Sequence, residues 1–213
     1  MCFSATASFI ASAALTSTGI LAVKKTSNKN HRWITVVPLL FGIQQAIEGT
    51  LWISPKGSLL AMIMTYGFLF FAFPFWPIYA PFAVLKVEKE ASNRKVMKIL
   101  WFMGIISGLN LLFFIIKNPP EATVIEGSLK YLIDVPYIKG TVFLYILATV
   151  GTLLSSSYRF LMIFGVALLI SLSAAFLMYF NTWPSIWCFF SAILSLVLTF
   201  SYLYDPKIAT EKL

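Results

Sequence analysis

Val36-Val-Pro-Leu-Leu-Phe-Gly-Ile-Gln-Gln-Ala-Ile-Glu-Gly-Thr-Leu-Trp52 lies within an apolar run, Trp33 to Ile53, of the roughly 20 residues that cross a hydrocarbon core. Its one carboxylate is Glu48. The other seven acidic residues of the chain fall in connecting segments or in the tail. An ionisable side chain at membrane depth costs about 3 kcal/mol or more, so Glu48 marks a candidate functional site.

Composition extends this reading to the whole chain. Hydrophobic residues make up 59% and charged residues 11%, against about 25% charged in soluble domains, and mean hydropathy is +0.86. Seven apolar runs fall near 5–23, 33–53, 58–84, 97–116, 138–155, 160–180 and 184–204. The expected fold is an all-α integral membrane bundle of seven transmembrane helices, forming a single domain over 1–213. No linker or internal repeat divides it. The first run has no positive residue before it, and Lys24 and Lys25 follow it, so it is expected to stay as a helix and not be cleaved as a signal peptide.

Of the 16 Lys and Arg residues, 12 fall on the side of the 24–32, 86–98, 159 and 207–212 segments; Lys56, Lys117, Lys130 and Lys139 fall on the other. The positive-inside rule then puts the N-terminus outside and the C-terminus inside. The net charge of +8 is accounted for as loop charge facing anionic lipid headgroups. No aromatic-interleaved basic stripe points to nucleic acid.

One connection is long. Pro119 and Pro120 stop the preceding helix, and Ile125, Leu129, Leu132 and Ile133 then recur at helical spacing, with Glu126, Lys130 and Asp134 four apart on another face. This spacing predicts a short amphipathic helix over 121–135, lying on the outer surface or capping the bundle.

Glu48 sits roughly 7 to 8 Å below the outer end of its span. At 100° per residue it shares a helix face with Phe41, Gln44, Gln45 and Trp52, beside a strip of small residues, Gly42, Ala46 and Gly49. Such a strip admits a close neighbour helix and turns the polar face inward. Two amides one turn from a carboxyl can orient it. A proton site, a cation or metal ligand, and a counter-ion to an amine all fit, as does a purely structural hydrogen-bond node.

Cys2 at the outer mouth of span one and Cys188 about one turn into span seven are on the same side of the membrane as Glu48. With Glu48 they form a possible metal set, Cys2 adding an amine if Met1 is removed; a disulfide between the two is the alternative. His31, at the opposite end of span two and about 25 Å away by rise, cannot join them, which excludes a His-rich zinc hydrolase. Pro74, Pro77 and Pro81 are expected to bend or loosen span three, mainly in its inner half. Asn110, Tyr66, Tyr145, Ser171, Ser173 and Tyr179 are candidates to line an outward-facing polar cavity. Nucleotide-binding loops, paired catalytic acids and a Gly-x-Ser-x-Gly elbow are absent.

The opening Met-Cys-Phe-Ser-Ala-Thr-Ala-Ser-Phe, the stretch Pro38-Leu-Leu-Phe-Gly-Ile-Gln-Gln-Ala-Ile-Glu-Gly49 followed by Trp52, the pair Trp76-Pro77, and Ser185-Ile-Trp-Cys-Phe-Phe-Ser-Ala192 together resemble a family of bacterial membrane proteins known as domain of unknown function 6629. The resemblance covers most of the chain. It implies a polytopic protein of the bacterial inner membrane and carries no activity with it. The positions matching its motifs are Cys2, Ser4, Gln44, Gln45, Glu48, Trp52, Trp187 and Cys188.

The expected function is binding or transport of a proton, cation, metal or small amphipathic ligand in an outward-facing pocket around Glu48, with Gln44, Gln45, Trp52 and Trp187 contributing. The alternatives are a membrane-embedded enzyme acting on lipid, with Glu48 as acid or base and Cys2 or Cys188 as nucleophile, and a structural membrane subunit.

Overall fold

In the computed structural model, residues 4–125 and 127–204 are described. The chain is an all-α bundle with one small hairpin. Its helices are α1 (Ala5–Lys25), α2 (Arg32–Ile53), α3 (Leu59–Val87), α4 (Ala91–Lys117), α5 (Ile138–Leu154), α6 (Arg159–Met178) and α7 (Trp183–Tyr204). Six of them are long and apolar enough to cross a membrane, and α5 is a shorter apolar helix.

The distribution of side chains is inverted relative to a water-soluble protein. Gln44, Gln45, Glu48, Ser107, Thr152 and Ser185 are fully buried, while Ile10, Phe102 and Leu177 stand 66%, 62% and 82% exposed. Exposed apolar surface on this scale needs a lipid solvent, and buried polar groups supply the interhelical hydrogen bonds such a bundle uses. The chain is an integral membrane protein.

Local chemistry sets the helix ends. The Ser4 and Ser58 hydroxyls cap α1 and α3 by accepting from the Ala7 and Ala61 N–H groups at 3.2 and 3.1 Å. Before α3 the chain turns through Gly57, whose φ of +74° is available to glycine without strain.

Small residues decide which helices touch. A Cβ added to Gly19 would sit 2.5 Å from the Leu39 nitrogen, one on Gly42 would strike Thr16, and one on Gly49 would meet the Phe9 ring at 3.0 Å. Ser12 of α1 also donates to the Gly42 carbonyl at 2.8 Å. The strip Gly42 and Gly49 is thus where α1 packs, leaving the adjacent polar face of α2 to point into the bundle. On α4, Gly104 and Gly108 form a Gly-x-x-x-Gly pair that receives the carbonyls of Pro77 and Pro74 from α3.

Both α3 and α5 contain a π turn, Phe71–Phe75 and Leu147–Gly151. Pro74 lies inside the first and has no N–H to donate, so the helical bonding pattern is broken there. Tyr145, next to the second, donates its hydroxyl to the Ala72 carbonyl at 2.9 Å. The loosening expected from the prolines therefore takes the form of a π turn whose freed carbonyl is satisfied across the bundle.

The connection between α4 and α5 corrects the helix expected over 121–135. Glu121–Ile125 (β1) and Ser128–Leu132 (β2) form an antiparallel hairpin in which Ile125 pairs with Ser128 and Glu121 with Leu132. Thr123, Val124 and Ile125 are β-branched, and Gly127 adopts a φ of +70° where the chain reverses, a combination that favours a tight hairpin over a helix. The helical spacing of Ile125 and Leu129 carries no weight in so short a stretch, because alternate residues explain the same pattern. Tyr131 lies flat against Phe68 of α3, with ring centroids 4.5 Å apart. Lys130 reaches Asn181 at 3.4 Å rather than completing a ladder along a helix.

Candidate functional site

Glu48 is fully buried, and the bundle brings a donor to each of its oxygens. Ser185, in the first turn of α7, donates to Oε1 at 2.6 Å, and the Gln45 amide donates to Oε2 at 3.4 Å. Gln44, one turn away on the same face, accepts from the Trp76 indole N–H at 2.9 Å. An indole nitrogen donates only, so Trp76 fixes the Gln44 amide with Oε1 toward α3 and Nε2 turned away. The Phe41 ring stacks on Trp76 with centroids 4.1 Å apart and holds it in place.

Three polar side-chain atoms of the same helix are left over. Gln44 Nε2, Gln45 Oε1 and Trp52 Nε1 are buried without a hydrogen-bond partner. Each such atom costs about 1–3 kcal/mol. Cys188 is a free, buried thiol beside the Gln44 amide and within the field of Glu48, but its position does not give Gln44 Nε2 a true hydrogen bond.

An internal cavity lies beside the Trp76 and Phe41 rings that fix Gln44. It holds about 80 Å³, is walled almost wholly by apolar side chains, and runs from Trp76, Trp187 and Cys188 toward Ile34 and Leu198. Glu48 is not among its lining residues. The pocket expected to face outward around Glu48 is thus displaced: the open space lies toward the Trp33 end of α2, because the Glu48 level is filled by Ser185 and the two amides. A smaller cavity of about 10 Å³ lies between Phe73 and Trp183, and Tyr145, Trp187 and Cys188 line both spaces. Trp187 donates to the Leu168 carbonyl at 3.2 Å, and its ring lies 5.8 Å from that of Tyr145. These three side chains form the partition between the cavities.

The structure therefore gathers Gln44, Gln45, Glu48, Trp52 and Cys188, places Trp187 in the cavity wall, and leaves Cys2 outside the described residues. Among the described residues no group of three or more His, Cys, Asp or Glu side chains comes together. Cys188 is a free thiol among the described residues, and the disulfide alternative, which needs Cys2, lies outside them. The polar groups expected to line an outward cavity have local partners: Ser171 and Ser173 donate to carbonyls of their own helix, and Asn110 accepts from Thr141. Ser185 and Trp76 were not singled out from sequence as site residues, although both sit in the stretches that carry the family resemblance.

A second polar cluster went unrecognised. Glu88, just beyond α3, is buried and accepts five hydrogen bonds, from the N–H groups of Lys89, Glu90 and Ser157 and the hydroxyls of Ser156 and Ser157, at 2.7–3.2 Å. Burial pushes its carboxyl up, but the donors from Ser157, Glu90 and Lys89 outweigh it and hold the group below the usual value. Arg94 closes the same corner by donating to the carbonyls of Leu85 and Glu88 at 2.7 Å each. His31, also buried, is held below its usual value by burial first and by Lys89 second.

A polytopic all-α membrane protein with a carboxylate-centred polar node inside its bundle is the class that this geometry defines. The chain belongs to the family of unknown function DUF6629, whose family model matches residues 1–210. No curated protein and no solved structure matches it.

Proposed function

We propose that this protein is a binding protein of the bacterial inner membrane, N-terminus outside, in which α5 completes seven spans and the bundle interior takes a small amphipathic cation. The observation that carries this reading is the fully buried, unpartnered acceptor Gln45 Oε1 beside the Glu48 carboxylate. A cationic, hydrogen-donating head answers Glu48 and Gln45 Oε1 once the node opens toward the cavity, which Glu48 does not line. An apolar body of a few heavy atoms suits a cavity of about 80 Å³, which is two to three times the roughly 30 Å³ share of one water in the liquid. Seventeen residues of α5 rise about 25 Å, within the range that spans a bilayer.

The test uses butylamine, butan-1-ol and butyrate as probes on detergent-purified protein, with binding read by thermal shift and calorimetry. Butylamine is expected to bind, butyrate not, and Glu48→Gln to abolish the difference. Equal responses to all three, or butylamine binding unchanged in Glu48→Gln, would overturn the reading in favour of a structural node.

Two cavities sharing one partition of Tyr145, Trp187 and Cys188 support a second reading, transport of the same ligand. It requires flux of butylamine in reconstituted vesicles. Binding with no flux restricts the protein to a receptor-like role.

A further inference from the structure

Between α3 and α4, on the surface of the bundle, a groove of about 270 Å³ is lined by Phe70, Phe75 and Phe82 on one wall and by Trp101, Leu109 and Leu112 on the other. Its lining is entirely apolar, and Phe70 and Leu109 are 47% and 55% exposed, so it is open to the bilayer. From Phe70 to Phe82 the helix rises about 18 Å, close to the roughly 15 Å of a single leaflet's hydrocarbon. The groove thus matches one leaflet in length and stops there.

Its end is basic. Lys86 lies four residues beyond Phe82 and Lys98 three residues before Trp101, so each lysine continues the stripe of its own wall. Both are exposed, and the Lys86 ammonium stands 4.9 Å from the centre of the Phe82 ring. Arg94 is committed to two backbone carbonyls, which leaves Lys86 and Lys98 to meet whatever occupies the mouth.

We propose that the groove is a binding site for an anionic phospholipid of the leaflet on the basic side, one acyl chain lying along Phe70 to Phe82 and the phosphate between Lys86 and Lys98. The site is separate from the Glu48 node and stands whatever that node binds. Length selects a single acyl chain of one leaflet, and the two lysines select negative charge.

Native mass spectrometry of the purified full chain, titrated with phosphatidylglycerol or with phosphatidylcholine of identical chains, tests this. The wild type is expected to take up one phosphatidylglycerol about tenfold more tightly than phosphatidylcholine. Lys86→Gln with Lys98→Gln should erase that preference, Lys24→Gln with Lys25→Gln should not, and Leu109→Trp, which fills the groove, should weaken both lipids. The exposed lysine pair keeps the experiment decisive if Leu109→Trp fails to fold. Equal affinity for the two lipids, a preference that survives loss of both lysines, or a lipid-free dimer joined through this face would each overturn the proposal.

Discussion

Replacing Ser185 by Ala removes the donor that sits 2.6 Å from Glu48 Oε1 and changes nothing larger than one oxygen. Both side chains are fully buried, so no water replaces the hydroxyl from bulk solvent. Leaving a buried polar group unmade costs about 1–3 kcal/mol, whereas neutral bonds between membrane helices couple by about 0.6 kcal/mol on average, because the unfolded chain in lipid finds other partners. A short bond to a carboxyl at full burial belongs above that average. Ser185→Ala is therefore expected to lose about 1–2 kcal/mol, roughly a five- to thirtyfold change in the unfolding equilibrium. The assay is reversible unfolding in mixed detergent micelles followed by tryptophan fluorescence, with Trp183 and Trp187 flanking the position as reporters. A double-mutant cycle with Glu48→Met isolates the pair; methionine is chosen because glutamine would keep an acceptor in place. The expected coupling is about 1 kcal/mol, and a value inside the roughly 0.5 kcal/mol by which independent sites fail to add would refute the reasoning.

Gly104→Ala drives a Cβ into the Pro77 carbonyl, a backbone atom that cannot swing aside, and should destabilise the bundle by about 1–3 kcal/mol in the same unfolding assay. Tyr145→Phe leaves the Ala72 carbonyl of the π turn without its donor; a loss of about 1–3 kcal/mol is expected, with faster amide exchange measured in Phe71–Phe75. For Glu88 the depressed pKa means that its stabilisation is complete above the unfolded value of 4.5 and is lost as pH falls below it. Glu88→Gln should lower stability at pH 7 and flatten the decline below pH 4.5 in a pH series of melting curves.

Periodicity carries much of the architecture and little of the closure. On α2 the reading is local: one helical turn separates Gln44 from Glu48, and Gly42 and Gly49 lie on a neighbouring strip, so spacing alone predicts the inward polar face. The donor from Ser185 comes from 137 residues away, and nothing in the spacing of either helix couples the two. Sequence separation likewise hides Glu88, whose carboxylate oxygens meet Ser156 and Ser157 from 68 and 69 residues away. The hairpin escapes a helical reading for a different reason: over five residues, periods of two and of 3.6 select overlapping positions, and the β-branched run with Gly127 is the better guide. Gly104 and Gly108 stood in plain view as a Gly-x-x-x-Gly pair, but only the Pro74 and Pro77 carbonyls show what they accommodate.

The bond from Ser185 to Glu48 also orders the birth of the protein. Span two enters the membrane while Ser185 is still 137 residues from being made, an interval of roughly 7 to 27 s at about 5–20 residues per second. Through that time the nascent chain holds a carboxyl in the bilayer before the last helix arrives with its hydroxyl. A chain halted after six helices would lack this donor, so arrival of the seventh helix is the event that completes the node.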